Sequence, residues 1–564
     1  MKSFFGALVG VFVGLFLLIL IFIGFAVGAA ASSSGGGIPT VPDQAVLRID
    51  LSGTLTETPN EVDALWAEIL DEPRPLSLYE LLEVVRAARE DSARIQTIWL
   101  DFGLVDASWA ALTELRAELQ RAREAGIEVV ATSKVYDPKS YYLASLADKI
   151  VLAPAGSMIL NGLSASPLYI KGGLDKLGVK AHLVRGSDNA FKSAGEPYIA
   201  DSMSAANRLQ YTELLTGMWR EIETAIRESR RSVNDSGWAN VLTQQPLLSA
   251  ERAQNVALVD YLRYADEFGY PEDQVISAAD YYAQLGESTE ASTVVVLMAE
   301  GEIVDGSDPD LLADYDFLEA VDDLLERSDV AGVVLRINSP GGSALASDEM
   351  HRGVQRLTEA YPVVVSMGGA AASGGYYLAA PAAEIWAQPT TITGSIGVFG
   401  LLFSGEALMH DKLGIKTQPV ATHPFANFPS LDRTPTAAEL AVVQASVDRT
   451  YARFKEVVAQ GRRLEPAVVD SIARGRVYTG QRAKELGLVD ELGGLYDAVA
   501  SCADLADLAS YRVERYRPNI EPWRQALRDF GVSLRSANLD AQLDALRLKI
   551  QRLGGIQARE TLLL

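Results

Sequence analysis

The sequence predicts an α/β fold, arranged as two tandem homologous domains behind an N-terminal transmembrane helix. Three observations carry the α/β and tandem parts of that reading. Short β-branched runs alternate with segments of helical period, Gly-rich turns join strand to helix, and one order of motifs occurs twice. Val333-Val334-Leu335-Arg336-Ile337 and Pro362-Val363-Val364-Val365-Ser366 read as buried strands. Between them Ser347 to Leu357 places apolar groups at helical spacing, with Asp348 and Glu349 expected in the first turn. Strand, helix and strand in this order form parallel βαβ units.

Residues 1–40 are expected to form an anchor and linker. Phe4 to Ala31 carries no charge, and ~20 apolar residues suffice to cross a ~30 Å bilayer core. Lys2 precedes this run and the neutral Ser32-Ser33-Ser34-Gly35-Gly36-Gly37 follows it. The positive-inside rule then keeps the short end cytoplasmic and leaves the body of the chain outside. A cleaved signal peptide ending near Ala29-Ala30-Ala31 is the alternative, although its apolar stretch usually spans only ~7–15 residues. Either reading exports the bulk of the protein.

The rest of the chain repeats itself. Tyr141-Tyr142-Leu143-Ala144 recurs as Tyr376-Tyr377-Leu378-Ala379, and Asp175-Lys176-Leu177-Gly178 as Asp411-Lys412-Leu413-Gly414. Ala257-Leu258-Val259-Asp260 likewise recurs as Gly487-Leu488-Val489-Asp490, in one consistent order. A duplicated domain is expected, with copies at 41–290 and 291–515. A helical tail is expected at 516–564, where Leu543, Leu546, Ile550 and Leu553 keep helical spacing.

Composition removes several chemistries. Acids outnumber bases 74 to 50, a net charge of −24, which leaves no general basic face for nucleic acid. Cys502 is the only cysteine, so no intrachain disulfide or thiolate cluster can form. Four histidines without a His-Glu-x-x-His spacing leave little room for zinc, and no cofactor is expected.

Two Gly-rich stretches fall at strand carboxyl ends, where open α/β folds place ligands: Asn338-Ser339-Pro340-Gly341-Gly342-Ser343 and Ala371-Ala372-Ser373-Gly374-Gly375-Tyr376. Alone, such a Ser-Gly-Gly turn is more often structural than catalytic. Together they offer a serine at a helix amino terminus and backbone N–H donors for an oxyanion. No histidine lies beside either motif. A Ser-Lys pair is the available variant, and its lysine must be held neutral by burial.

These stretches, with Ser366-Met367-Gly368 and Thr393-Gly394-Ser395-Ile396-Gly397, resemble the signal peptide peptidase A (protease IV) family in its long bacterial form. The resemblance runs through nearly all of the chain after the anchor. It implies a membrane-anchored serine protease of Clp-protease/crotonase fold, cutting released signal peptides and similar apolar peptides through an acyl-enzyme. It implies Ser373 as nucleophile and Lys192, in Ala190-Phe191-Lys192-Ser193-Ala194-Gly195, as general base. Ser395 would hold the lysine, and the Gly342 and Gly374 N–H groups would form the oxyanion hole. A homotetramer is also implied.

The repeat bears on these assignments. Its Tyr-Tyr-Leu-Ala register, 376 − 141 = 235, puts Pro138 opposite Ser373, and Asp106 and Ala107 opposite Gly341 and Gly342. The Asp-Lys-Leu-Gly register, 411 − 175 = 236, carries Lys192 onto Phe428. Each half lacks what the other keeps, as one composite site requires. The alternatives are a crotonase-like acyl-CoA enzyme, which an exported location disfavours, and a non-catalytic membrane scaffold.

Overall fold

The computed structural model describes residues 41–58, 75–308 and 311–516, apart from positions 265, 266, 268 and 287. The expected anchor at 1–40 lies outside them, as does the expected tail beyond Tyr516. Among the described residues no helix is long and apolar enough to cross a membrane.

The first half builds a seven-stranded sheet. Its strands β1 (Ala45–Thr54), β2 (Ile95–Asp106), β3 (Glu128–Tyr136) and β4 (Lys149–Ile159) are parallel neighbours. β5 (Lys180–Arg185) leaves this sheet, and β6 (Leu247–Ser249), β7 (Tyr261–Leu262) and β8 (Val275–Ser277) complete its edges. The second half repeats the plan in eight strands. The strands of this half begin with β9 (Thr293–Glu300), the short β10 (Ile303–Val304) and β11 (Leu312–Ala313), which pair apart from the eight-stranded sheet, then β12 (Val330–Ser339) and β13 (Val363–Ala372). β14 (Glu384–Ala387), β15 (Ile392–Gly394), β16 (Phe399–Ser404), β17 (Val477–Thr479), β18 (Glu491–Leu492) and β19 (Arg512–Tyr516) follow. β9, β12 and β13 are parallel neighbours, while β16 departs to pair with β5.

The helix between β12 and β13 runs Ala344–Ala360, starting earlier than its apolar spacing suggests. The Ser343 hydroxyl accepts the Ala346 N–H at 3.3 Å and fixes that start. Asp348 and Glu349 therefore fall in the second turn, not the first as expected, and the first turn holds no acid.

Alternation along the second sheet shows how the halves join. Val295, Leu297, Val333 and Leu335 pack with the second half's own helices. Val294, Val296, Val334 and Val364 face the other way, into a core continuous with that of the first half. These strands are apolar on both faces because the first half and the Leu495–Leu505 helix cover the second one. Both halves belong to one compact unit.

Candidate active site

Ser373 follows β13 and caps the Gly374–Ala379 helix at φ 54° and ψ −118°. A non-glycine residue at positive φ is strained. The backbone is held there by the Ser373 N–H donating to the Gly394 carbonyl at 2.9 Å. The sharp turn presents the Ser373 hydroxyl at the carboxyl end of the sheet.

Lys192 comes from the first half, 181 positions away in sequence, yet its Nζ lies 3.0 Å from Ser373 Oγ. The same nitrogen lies 2.9 Å from Ser395 Oγ and 2.9 Å from the Ser395 carbonyl oxygen. Lys192 is 5 % exposed, and burial lowers its amine to about 7. A neutral amine has two N–H donors and one lone pair. Two donors directed at Ser395 leave the lone pair for the Ser373 hydroxyl proton. Ser395 itself sits at φ 52°, with its N–H donating to the Arg476 carbonyl at 2.7 Å.

The two Gly-rich turns touch. Gly341 adopts φ +95°, and a Cβ there would lie 2.6 Å from Gly374 N and 2.7 Å from Ser373 Cβ. A Cβ on Gly342 would lie 2.0 Å from the Ile303 carbonyl oxygen. The adjoining backbone is fixed by Ile303 N–H donating to the Gly341 carbonyl and Ser343 N–H to the Ile303 carbonyl. Among the described residues neither the Gly342 nor the Gly374 N–H has a protein partner. The five residues singled out in the sequence thus come from both halves to one place.

Other residues of the site were not signalled by any motif. β5 pairs antiparallel with β16, carrying the chain toward Lys192 alongside the strand that follows Ser395. Asn189 Nδ2 donates to the Val398 carbonyl at 3.0 Å, and Gln210 Nε2 to the Phe191 carbonyl at 3.2 Å. Gly475, at φ +74°, lies against the lysine backbone, where a Cβ would come within 2.5 Å of Lys192 Cβ. Only the Gly475 φ has a sequence signal, the glycine itself. In the first half, Pro138 opens a helix where Ser373 stands, and Lys139 Nζ pairs with Asp106 at 3.0 Å. Among the described residues no cluster of three or more His, Cys, Asp or Glu side chains is set to hold a metal.

Comparison with known proteins finds relatives of both halves. The family model "Peptidase family S49" matches residues 121–270 and again 355–509. The chain belongs to peptidase family S49. Among S49-like relatives, Protease 4 of Salmonella typhi is 32 % identical over 89 % of this chain and 85 % of its own. Protease 4 of Haemophilus influenzae is 32 % identical over 88 % of this chain and 84 % of its own. The chloroplastic serine protease SPPA of Arabidopsis thaliana is 27 % identical over 86 % and 74 %. The resemblance read from the motifs therefore holds, and this S49 chain is a serine protease.

Proposed function

We propose that this protease uses a Ser373–Lys192 dyad. The observation that carries the reading is the buried amine 3.0 Å from Ser373 Oγ, lowered to about 7. Neutral Lys192 takes the hydroxyl proton as Ser373 Oγ bonds to the scissile carbonyl carbon. The carbonyl oxygen becomes an oxyanion held by the Gly342 and Gly374 N–H groups. Collapse breaks the C–N bond, and the lysine proton passes to the departing amine. Water, deprotonated by the same lysine, then hydrolyses the acyl-enzyme and regenerates Ser373.

The substrates in this reading are cleaved signal peptides and similar apolar peptides, as the family resemblance implies. The uncharged run from Phe4 to Ala31 anchors the protease in the bacterial inner membrane, with its body on the periplasmic side. There the site stays close to lipid-borne peptides. The functional form is a homo-oligomer, a tetramer by resemblance to the long bacterial form.

The test is turnover of a fluorogenic peptide ester, with acylation of Ser373 by a serine-directed inhibitor. Ser373→Ala should abolish turnover, and Lys192→Ala should lower it by ~10²–10⁴-fold and prevent rapid labelling. Unchanged turnover in either variant would sink the dyad.

A further inference from the structure

Lys192 stands in a loop of the first half, yet a segment of the second half holds that loop. Phe191 N–H donates to the Arg474 carbonyl at 3.0 Å, and Gly475 packs on the Lys192 backbone. The next residue, Arg476, makes three contacts at once. Its carbonyl accepts the Ser395 N–H, its guanidinium carbon lies 4.8 Å from the centre of the Phe191 ring, and it pairs with Glu213. A guanidinium within ~6 Å of an aromatic ring centre is attracted to the ring face. Phe191 directly precedes Lys192, so a held ring restrains the backbone that carries the amine.

Glu213 lies on the Ala205–Ser229 helix, three residues beyond Gln210 and therefore on the same face. Gln210 Nε2 bonds on both sides of the lysine, to the Phe191 carbonyl at 3.2 Å and to Ser193 Oγ at 2.7 Å. One helix face thus meets both the lysine loop and the arginine that presses on it.

The duplication separates what the fold needs from what the base needs. The Tyr141 hydroxyl donates to the Leu258 carbonyl as Tyr376 does to Leu488, a register of 488 − 258 = 230. It places Pro246, just before β6, opposite Arg476, just before β17. The register 376 − 141 = 235 places Leu160 opposite Ser395. Leu160 N–H donates to the Pro246 carbonyl at 2.8 Å, as Ser395 N–H does to the Arg476 carbonyl at 2.7 Å. Both copies make this backbone contact, so it belongs to the fold. The guanidinium does not.

The helix tells the same story. Its counterpart Ala437–Gly461 has the same 25 residues and a hydroxyl cap, Thr436 for Ser204. By 436 − 204 = 232 it carries Val442 for Gln210 and Ala445 for Glu213. Arg476, Gln210 and Glu213 each occur only in the copy of their element that meets the lysine.

We propose that Arg476 is a positioning residue for the general base: paired with Glu213, it clamps the Phe191 ring and so keeps Lys192 Nζ on Ser373 Oγ and away from water. The inference rests on the dyad reading. Arg185 with Glu196, and Arg474 beside Asp188, also flank the loop. Among the described residues none of these charged groups, nor Arg476 or Glu213, hydrogen-bonds to Lys192 Nζ. Arg476 therefore acts on the amine through Phe191. Burial is what lowers that amine, so a loosened loop that admits water raises it toward its ordinary value.

Steady-state kinetics of the full-length protein on the peptide ester, followed against pH, tests the clamp. Arg476→Met keeps the side-chain length and loses the cation. It should lower kcat by ~10–10²-fold with KM nearly unchanged, and move the rising limb of the pH profile upward by roughly one unit. Phe191→Leu should do the same, and the double variant should lose little more than either single one, because all three break one contact. Glu213, with 52 % of its side chain exposed, offers a variant without a folding risk. Glu213→Gln should move the limb in the same direction by less. A limb that stays at its native position in Arg476→Met overturns the clamp, whatever the loss in kcat, as do losses that multiply in the double variant. If Arg476→Met does not fold, unmoved limbs in Phe191→Leu and Glu213→Gln overturn it instead. Lys192→Ala, measured beside them, separates the two readings. Native turnover there removes the dyad and the clamp together, whereas lost turnover with a native limb in Arg476→Met removes the clamp alone.

Discussion

Among the described residues Lys192 Nζ has only neutral hydrogen-bond partners, Ser373 Oγ, Ser395 Oγ and the Ser395 carbonyl. Nothing close by therefore offsets the cost of burying its charge, and burial brings it to about 7. The base is competent when deprotonated, so kcat/KM for the peptide ester should rise with pH and level off above about 7. A flat profile from pH 5 to 9 would contradict the assignment of the base. Removing the amine in Lys192→Ala should lower kcat by ~10²–10⁴-fold, as loss of a general base does. Because the folded amine titrates below its ordinary value, the native state binds fewer protons between about 7 and 10.5. Folding stability from this group consequently rises with pH across that window and is lowest below it. Ser395 acts on the same nitrogen through one hydrogen bond, worth ~1–1.5 kcal/mol. Ser395→Ala should lower kcat by ~10-fold and leave KM nearly unchanged, a split that steady-state kinetics measures directly.

At the scale of elements, the site consists of turns held by other turns. The strand–turn–helix around Ser373 was legible because Ser-Gly-Gly follows a β-branched run and precedes a helix. The Asn338 to Gly342 turn was legible for the same reason. Asn189, Gln210 and Gly475 were not, because their importance lies in what they touch. Gly475 belongs to the second half and packs on the backbone of a first-half lysine. Gly475→Ala would force a Cβ into Lys192, whose nitrogen sits where ångström displacements matter. The expected outcome is a ~10²-fold loss of turnover in a variant whose far-UV circular dichroism is unchanged. Native turnover would show that the contact does not position the base.

For the whole molecule, the halves are also tied together by charge. Arg336, 1 % exposed on β12, meets Glu57 at 2.9 Å and Glu114 at 2.7 Å, both from the first half. Its Nη1 also donates to Ser366 Oγ at 2.8 Å. Two carboxylates thus share one guanidinium in a dry interface, with Glu300 also near Glu57. Burial, against the attraction of Arg336, raises Glu57 to about 7. Its folded value lies above the ordinary one, so the native state takes up a proton between about 4.5 and 7. Stability should fall as pH rises through that range and stay low above it. Glu57→Gln should remove this slope and raise Tm relative to the native chain at pH 8 more than at pH 5, as differential scanning fluorimetry would show. An equal shift at both pH values would refute a proton-linked Glu57. By itself the sequence determined the α/β class, the duplication, and the serine and glycine turns, since these depend on local period and on backbone freedom at single positions. It also revealed that each half lacks what the other keeps. Only the tertiary structure decided that Lys192 reaches Ser373 within one chain and that the first half covers a face of the second sheet. The physical reason is that burial and distance across halves arise from packing of segments far apart in sequence, which no local pattern encodes.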